Sequence, residues 1–198
     1  KKFLKKNKLY NKILNNFISN KIINKSILTN EKILNYFSFK KLILKKIKFS
    51  KLKLRLNSEF KKSYLKNYDK VILTTYANNN KILKKIGIKR LDNFKFELVE
   101  KIVIKLPKKF HNKSFVVIDG KFVCVDPYLG TKYHLLSDVK LSKLETIVGK
   151  FPIFKNKNKK FLNKGIIKNK RISRFEEFIE RSSIYLPFLK KAKYVGSM

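Results

Sequence analysis

The sequence predicts an α+β protein: a small antiparallel sheet with a packed helix, flanked by basic helical and extended arms. Three observations lead there. A central stretch shows strand-like alternation and a hairpin signal. That stretch is almost neutral, whereas both flanks are strongly basic. Apolar residues at helical spacing occur towards either end.

In chain order, Tyr10, Ile13, Leu14, Phe17 and Ile18 recur at i, i+3, i+4, i+7 and i+8, which predicts an amphipathic helix. A less regular segment runs from Glu31 to about Lys48. Leu52, Leu54 and Leu56 then alternate, residues 71–76 read as a strand, and residues 79–86 read as a short helix closed by Gly87. In the centre, residues 94–106 alternate as a strand does and stop at Pro107. Residues 114–118 and 121–125 are β-rich runs separated by Asp119-Gly120, a two-residue hairpin signal because both positions tolerate positive φ. Asp126-Pro127 and Gly130 mark a loop, and residues 132–136 read as a third strand. Ser137 is placed to cap a helix over roughly 138–148, with Val139, Leu141, Leu144, Ile147 and Val148 as its apolar stripe and Gly149 as its stop. Residues 150–170 carry eight lysines, no acid and little periodicity, which reads as an extended arm. Ser173 and Glu176 have capping-box spacing and open a helix of about ten residues that Pro187 keeps from continuing.

Charge divides the chain in the same places. There are 50 Lys and Arg against 13 Asp and Glu, a net charge of +37. Residues 1–58 hold 17 bases and one acid, 59–90 nine and two, 91–149 ten and seven, and 150–198 fourteen and three. The expected organisation is therefore a basic, largely helical N-terminal extension (1–90), a central α+β domain (91–165) and a C-terminal basic arm and helix (166–198).

An excess this large cannot be neutralised internally, so an external polyanion is implied. No run approaches the ~18 apolar residues of a membrane span, and no acidic cluster suits a nucleic-acid enzyme that works through metal ions. Of nucleic acid, an acidic membrane surface and an acidic protein, nucleic acid is the partner that best fits the charge footprint. The hydrophobic fraction of 43% excludes a wholly disordered tail. Lysines outnumber arginines 45 to 5, Asn is frequent, and Gln and Trp are absent, which is the codon signature of an A/T-rich genome such as an organelle's. The excess of Lys over Arg, and of Phe, is read as that bias. The Lys-rich N-terminus lacks the Arg and Ser pattern of a transit peptide and is read as mature protein.

Catalytic chemistry is not expected. His111 and His134 have no motif around them, and Cys124 is the only cysteine, which excludes an internal disulfide and a thiolate zinc cluster. Gly120-Lys121 and Gly149-Lys150 lack the other positions of a phosphate loop. No catalytic residue, metal, cofactor or small-molecule substrate is predicted. The candidate RNA-binding residues are cations. Lys101, Lys105, Lys108, Lys109, Lys113 and Lys121 lie in the central unit. Lys150, Lys155, Lys157, Lys159, Lys160, Lys164, Arg171 and Arg174 lie in the arm.

The centre also resembles the small-subunit ribosomal protein 19 family over about residues 100–165. Lys101-Ile-Val-Ile-Lys-Leu-Pro107 resembles its basic, apolar, proline-ended run, and Asp119-Gly120-Lys121 its Asn-Gly-Lys/Arg turn. Leu135-Leu136-Ser137-Asp138 resembles its strand end, Gly149-Lys150-Phe151 its closing Gly-Glu-Phe, and Lys155, Lys157, Lys159 and Lys160 its basic tail. The chain departs from the family in lacking Gly-His-Lys before the closing tripeptide and in carrying about eight extra residues near 126–131. The N-terminal Lys-Lys-Gly-Pro-Phe element is absent too, unless Lys61-Lys62-Ser63-Tyr64 is its remnant. The resemblance implies a structural role in the head of the small subunit of a mitochondrial ribosome. There the chain would bind ribosomal RNA through lysine–phosphate contacts, beside the ribosomal protein 13 and 14 families. On that reading the arm threads along RNA and the terminal helix packs on a neighbouring protein. The alternatives are another organellar ribosomal protein or an organellar nucleic-acid-processing protein such as a maturase fragment.

Overall fold

The computed structural model describes residues 2–14, 18, 22–118 and 122–198. It is α+β, with short helices and antiparallel sheets. Two compact units are present, and neither is a continuous stretch of chain. Unit 1 comprises Lys1–Lys46, Glu100–Ser142 and Lys164–Met198, and unit 2 comprises Ile47–Val99 and Lys143–Asn163. The expected sequential segments are therefore interleaved in the two units.

Unit 1 is built on a five-stranded antiparallel sheet of β4 (Ile102–Lys105), β5 (Phe115–Val117), β6 (Val123–Tyr128), β7 (Tyr133–Asp138) and β9 (Lys193–Ser197), in the order β5-β6-β7-β4-β9. In β6 and β7 buried residues alternate with half-buried ones, as a strand with one covered face requires. Ile102, Val103 and Ile104 of β4 are all fully buried, so both faces of that strand are covered. A helix, α5 (Phe175–Ser183), buries Phe175, Phe178 and Ser182, which share one helical face. Phe175 and Phe178 join Ile102, Ile104, Leu136, Leu186 and Leu189 in the core. Each such side chain contributes about 1.5–3 kcal/mol on burial, so this cluster holds the unit together. The N-terminal part of unit 1 adds α1 (Lys2–Lys6) and a two-stranded ribbon of β1 (Tyr10–Leu14) and β2 (Ser26–Thr29). Ile18 packs against the core. A further helix, α2 (Tyr36–Lys48), buries no residue completely.

Unit 2 contains α3 (Asn79–Lys85) and the antiparallel pair β3 (Phe94–Val99) and β8 (Lys143–Gly149), followed by a short helix, α4 (Asn156–Lys159). Gly87, at φ +94°, ends α3 as expected. Its N–H donates to the Lys84 carbonyl and that of Ile88 to the Leu83 carbonyl, the bonding pattern of a Schellman cap.

Several expectations are corrected. The helix over 138–148 does not form. Asp138 closes a tight turn by accepting from the backbone N–H groups of Lys140 and Leu141, at 2.8 and 3.0 Å. The residues beyond it become β8, because pairing with β3 satisfies their backbone and suits β-branched Thr146, Ile147 and Val148. Residues 10–14 are a strand, not a helix, since Leu14 to Tyr10 find partners in Ser26–Thr29. Residues 15–17 of that expected helix lie outside the description. Residues 94–106 are two strands broken at Glu100-Lys101, with β3 and β4 in different sheets. Asp126-Pro127 lies inside β6, and the turn comes later, at residues 129–132 with Gly130 at φ +85°. β5 ends opposite Val125, so one edge of β6 is free of β5 where the N–H-less proline sits. Residues 52–56 and 71–76 form no strand, and Leu52, Leu54, Leu56 and Ile72 are exposed. Residues 150–170 are not simply extended, because they include α4. The hairpin strands β5 and β6 do pair, but Asp119-Gly120-Lys121 lies outside the described residues.

Candidate nucleic-acid interface

Several of the scarce acids bond within the fold, Glu100 and Asp138 from buried positions. In unit 1 the fully buried Asp138 receives the Arg181 Nε–H at 2.6 Å in addition to its two turn N–H groups. Buried Glu100 accepts from Ser173 Oγ at 2.8 Å, and Arg174 Nε lies 3.9 Å from its other oxygen. The capping box expected at Ser173 is thereby replaced: Ser173 bonds to Glu100, and Glu176 pairs with Lys170. Asp126 accepts from Ser114 Oγ and, at 2.9 Å, from Cys124 Sγ. Burial first, then the bond to Asp126 and its charge, push the Cys124 thiol up to about 12, so it stays protonated and unreactive at neutral pH. In unit 2, Glu97 bridges Lys95 and Lys143 at 2.9 and 2.8 Å, and Glu59 pairs with Lys85. The bonds from these lysines hold both carboxyls below their usual range.

Against this background unit 1 gathers one basic surface. Lys105 ends β4 directly opposite Lys193, which begins β9. Lys108 and Lys109 lie in the helical turn that follows β4, and Lys190 and Lys191 in the turn that precedes β9. Phe110 stacks on Phe188 at 4.2 Å between ring centroids and clamps these two turns together. Six exposed lysines therefore meet at one end of the β4–β9 pair, with Lys113 three residues beyond Phe110. Glu176 and Glu180 share a cavity of about 520 Å³ with Lys190.

The sequence-derived candidates divide as follows. Lys105, Lys108, Lys109 and Lys113 share this surface. Lys101 is exposed but sits at the opposite end of β4, where its backbone pairs with Met198. Lys164 and Arg171 are exposed in unit 1, whereas Arg174 is half-buried beside Glu100. Lys121 lies outside the description. Lys150, Lys155, Lys157, Lys159 and Lys160 belong to unit 2, where all five are exposed. Glu145 anchors that segment, accepting from the Lys155 backbone N–H and, at 2.8 Å, from Asn158 Nδ2. The bond from Asn158, then that from Lys155 and the charges of Lys155 and Lys157, lower the Glu145 pKa. Sequence reasoning missed Lys190, Lys191 and Lys193. Their Lys-Lys-Ala-Lys run is visible, but only β4–β9 pairing brings it beside Lys105.

The remaining titratable groups serve structure. His134 is buried, and its Nε2–H donates to the Phe110 carbonyl at 3.1 Å, which holds the turn carrying Lys108 and Lys109. Burial lowers its pKa and keeps it neutral. Among the described residues no three His, Cys, Asp or Glu side chains gather as a metal site, and no helix is long and apolar enough to cross a membrane. Compared with protein-family models, curated proteins and solved structures, the chain has no significant match.

Proposed function

We propose that this chain is a non-catalytic RNA-binding protein, a structural constituent of the small subunit of a mitochondrial ribosome, akin to the small-subunit ribosomal protein 19 family. One observation carries the reading: six exposed lysines crowd one end of the β4–β9 pair, beside aromatic rings that fix their backbone, while Glu100 and Asp138 of the same unit are held in internal bonds. Such a surface attracts phosphates without reading sequence, because an ammonium is a point charge with rotatable donors. The composition adds the organellar setting, and the resemblance adds the subunit head and neighbours of the 13 and 14 families. The arm at 155–160 would neutralise RNA phosphates in the same way. The terminal helix has a different part from the one first expected: α5 packs its apolar face on its own sheet and leaves Glu176, Glu177 and Glu180 exposed for a protein neighbour.

The test is co-sedimentation of the tagged chain with ribosomal subunits from organelles, before and after limited nuclease treatment. Recovery with the small subunit, lost as the RNA is digested, is expected. Recovery with a membrane complex, or in free fractions that contain no subunit RNA, would overturn the proposal.

A further inference from the structure

Unit 2 contains a second, separate feature: an open-sided cavity of about 470 Å³ with Ile88, Leu91 and Phe151 as apolar lining and Lys84, Lys89 and Lys150 as cations. Among the described residues no carboxylate lines it. Its volume falls within the roughly 300–1,000 Å³ of small-ligand pockets. The walls are built rather than incidental. Asn80, 2% exposed, donates through Nδ2 to the Asp92 carbonyl at 2.7 Å and to the Lys150 carbonyl at 2.8 Å. One buried amide thus ties together α3, the segment 88–92 and the segment 149–151. The Schellman cap at Gly87 turns the chain so that Ile88 and Lys89 enter the lining, and it occupies the Leu83 and Lys84 carbonyls that would otherwise repel an anion. Lys84 Nζ sits 5.6 Å from the centroid of the Phe151 ring, which places a cation beside an aromatic face.

An aromatic ring, an apolar floor and three lining lysines match an unpaired nucleotide: a π-face to stack and a phosphate on either side to neutralise. We propose that this cavity takes one unstacked nucleotide of single-stranded RNA, its base against Phe151 and its flanking phosphates on Lys84, Lys89 and Lys150. The proposal rests on the RNA-binding reading above and adds a single-strand preference to it.

The experiment uses the full chain with a single-stranded RNA oligonucleotide carrying 2-aminopurine, a duplex of equal charge, and a ten-residue polyglutamate peptide. Phe151→Leu is expected to weaken single-strand binding about fivefold or more, since base–aromatic stacking is worth about 1–3 kcal/mol, and to leave duplex binding unchanged. The triple variant Lys84→Gln, Lys89→Gln, Lys150→Gln changes exposed side chains only. It should reduce the single-strand salt slope by about 1.4, roughly 0.7 for each flanking phosphate. The idea is overturned if both variants keep the wild-type ratio of single-strand to duplex affinity. It is equally overturned if polyglutamate is the ligand whose binding the two variants abolish. Absence of any RNA binding by the wild-type chain would instead refute the broader function. If Phe151→Leu lowers duplex affinity as well, the triple variant decides.

Discussion

Replacing Arg181 with Met tests whether Asp138 is an internal anchor. Arg181 Nε–H donates to Asp138 Oδ2 at 2.6 Å, and the Asp138 side chain is fully buried while that of Arg181 is 19% exposed. Removing one partner of a buried pair costs about 3–5 kcal/mol. Here the carboxylate keeps the Lys140 and Leu141 N–H groups and the pair is partly screened, so about 2–3 kcal/mol is expected. That corresponds to a fall in Tm of about 5–10 °C for a chain of this size. The sequence has no Trp, so circular dichroism during urea and thermal unfolding is the readout. Amide exchange at Lys140 and Leu141 provides a local probe. Adding Asp138→Asn to the Met variant removes the uncompensated charge yet keeps an acceptor for the turn, and should restore at least half of the loss. Arg181→Met within about 0.5 kcal/mol of wild type, the range of ordinary surface substitutions, would refute the reasoning, as would a double variant less stable than the single.

Four further outcomes are expected. Gly196→Ala should cost about 1–3 kcal/mol by overpacking, because a Cβ there would lie 2.5 Å from Ile166 Cγ2 and 3.0 Å from the Ile167 carbonyl oxygen; unchanged urea unfolding would show that β9 is loosely held. Stability should fall as pH drops below about 6.5, the ordinary His value. Burial depresses the His134 pKa in the folded state, so the unfolded chain binds the proton more readily; a pH profile that does not flatten in His134→Gln would assign the effect elsewhere. On a duplex RNA site with ~8 phosphate contacts, the log–log salt dependence of affinity should have a slope of about −7, whereas a slope near −1 to −2 would mean that few lysines touch RNA. Reversing Lys157, Lys159 and Lys160 to Glu should weaken subunit incorporation and leave the unit 1 core intact, because all three are exposed and lie in unit 2; normal incorporation, measured by sedimentation, would exclude that segment from the RNA contact.

Hydrogen exchange on RNA-free chain would map where order is intrinsic. The sequence suggests protection confined to the near-neutral centre. The structure extends it to α5 and β9, whose Phe178 and Gly196 are buried, and leaves residues 51–75, which contain no strand or α-helix, unprotected.

The sequence by itself determined the α+β class, strands at 115–117, 123–125 and 133–136 but not the extension of the last two to Tyr128 and Asp138, the helix closed by Gly87 and the short helix before Pro187. These are local matters: alternation, β-branched residues, a glycine that accepts positive φ, a proline without an N–H. It also set the net charge of +37, because charge counts do not depend on fold. Only the tertiary structure decided that residues 143–149 are a strand rather than a helix. Leu144, Ile147 and Val148 suit either period, and β3, nearly fifty residues earlier, supplies the hydrogen-bond partners that settle it. Only the tertiary structure, too, made the C-terminus part of a core. Lys193–Ser197 contains one strongly apolar residue, Val195, and becomes a strand because β4 presents an open edge. That same long-range pairing sets Lys190, Lys191 and Lys193 beside Lys105, Lys108 and Lys109. Backbone groups bond to whatever partner is in register, and a sequence does not display which partner that will be.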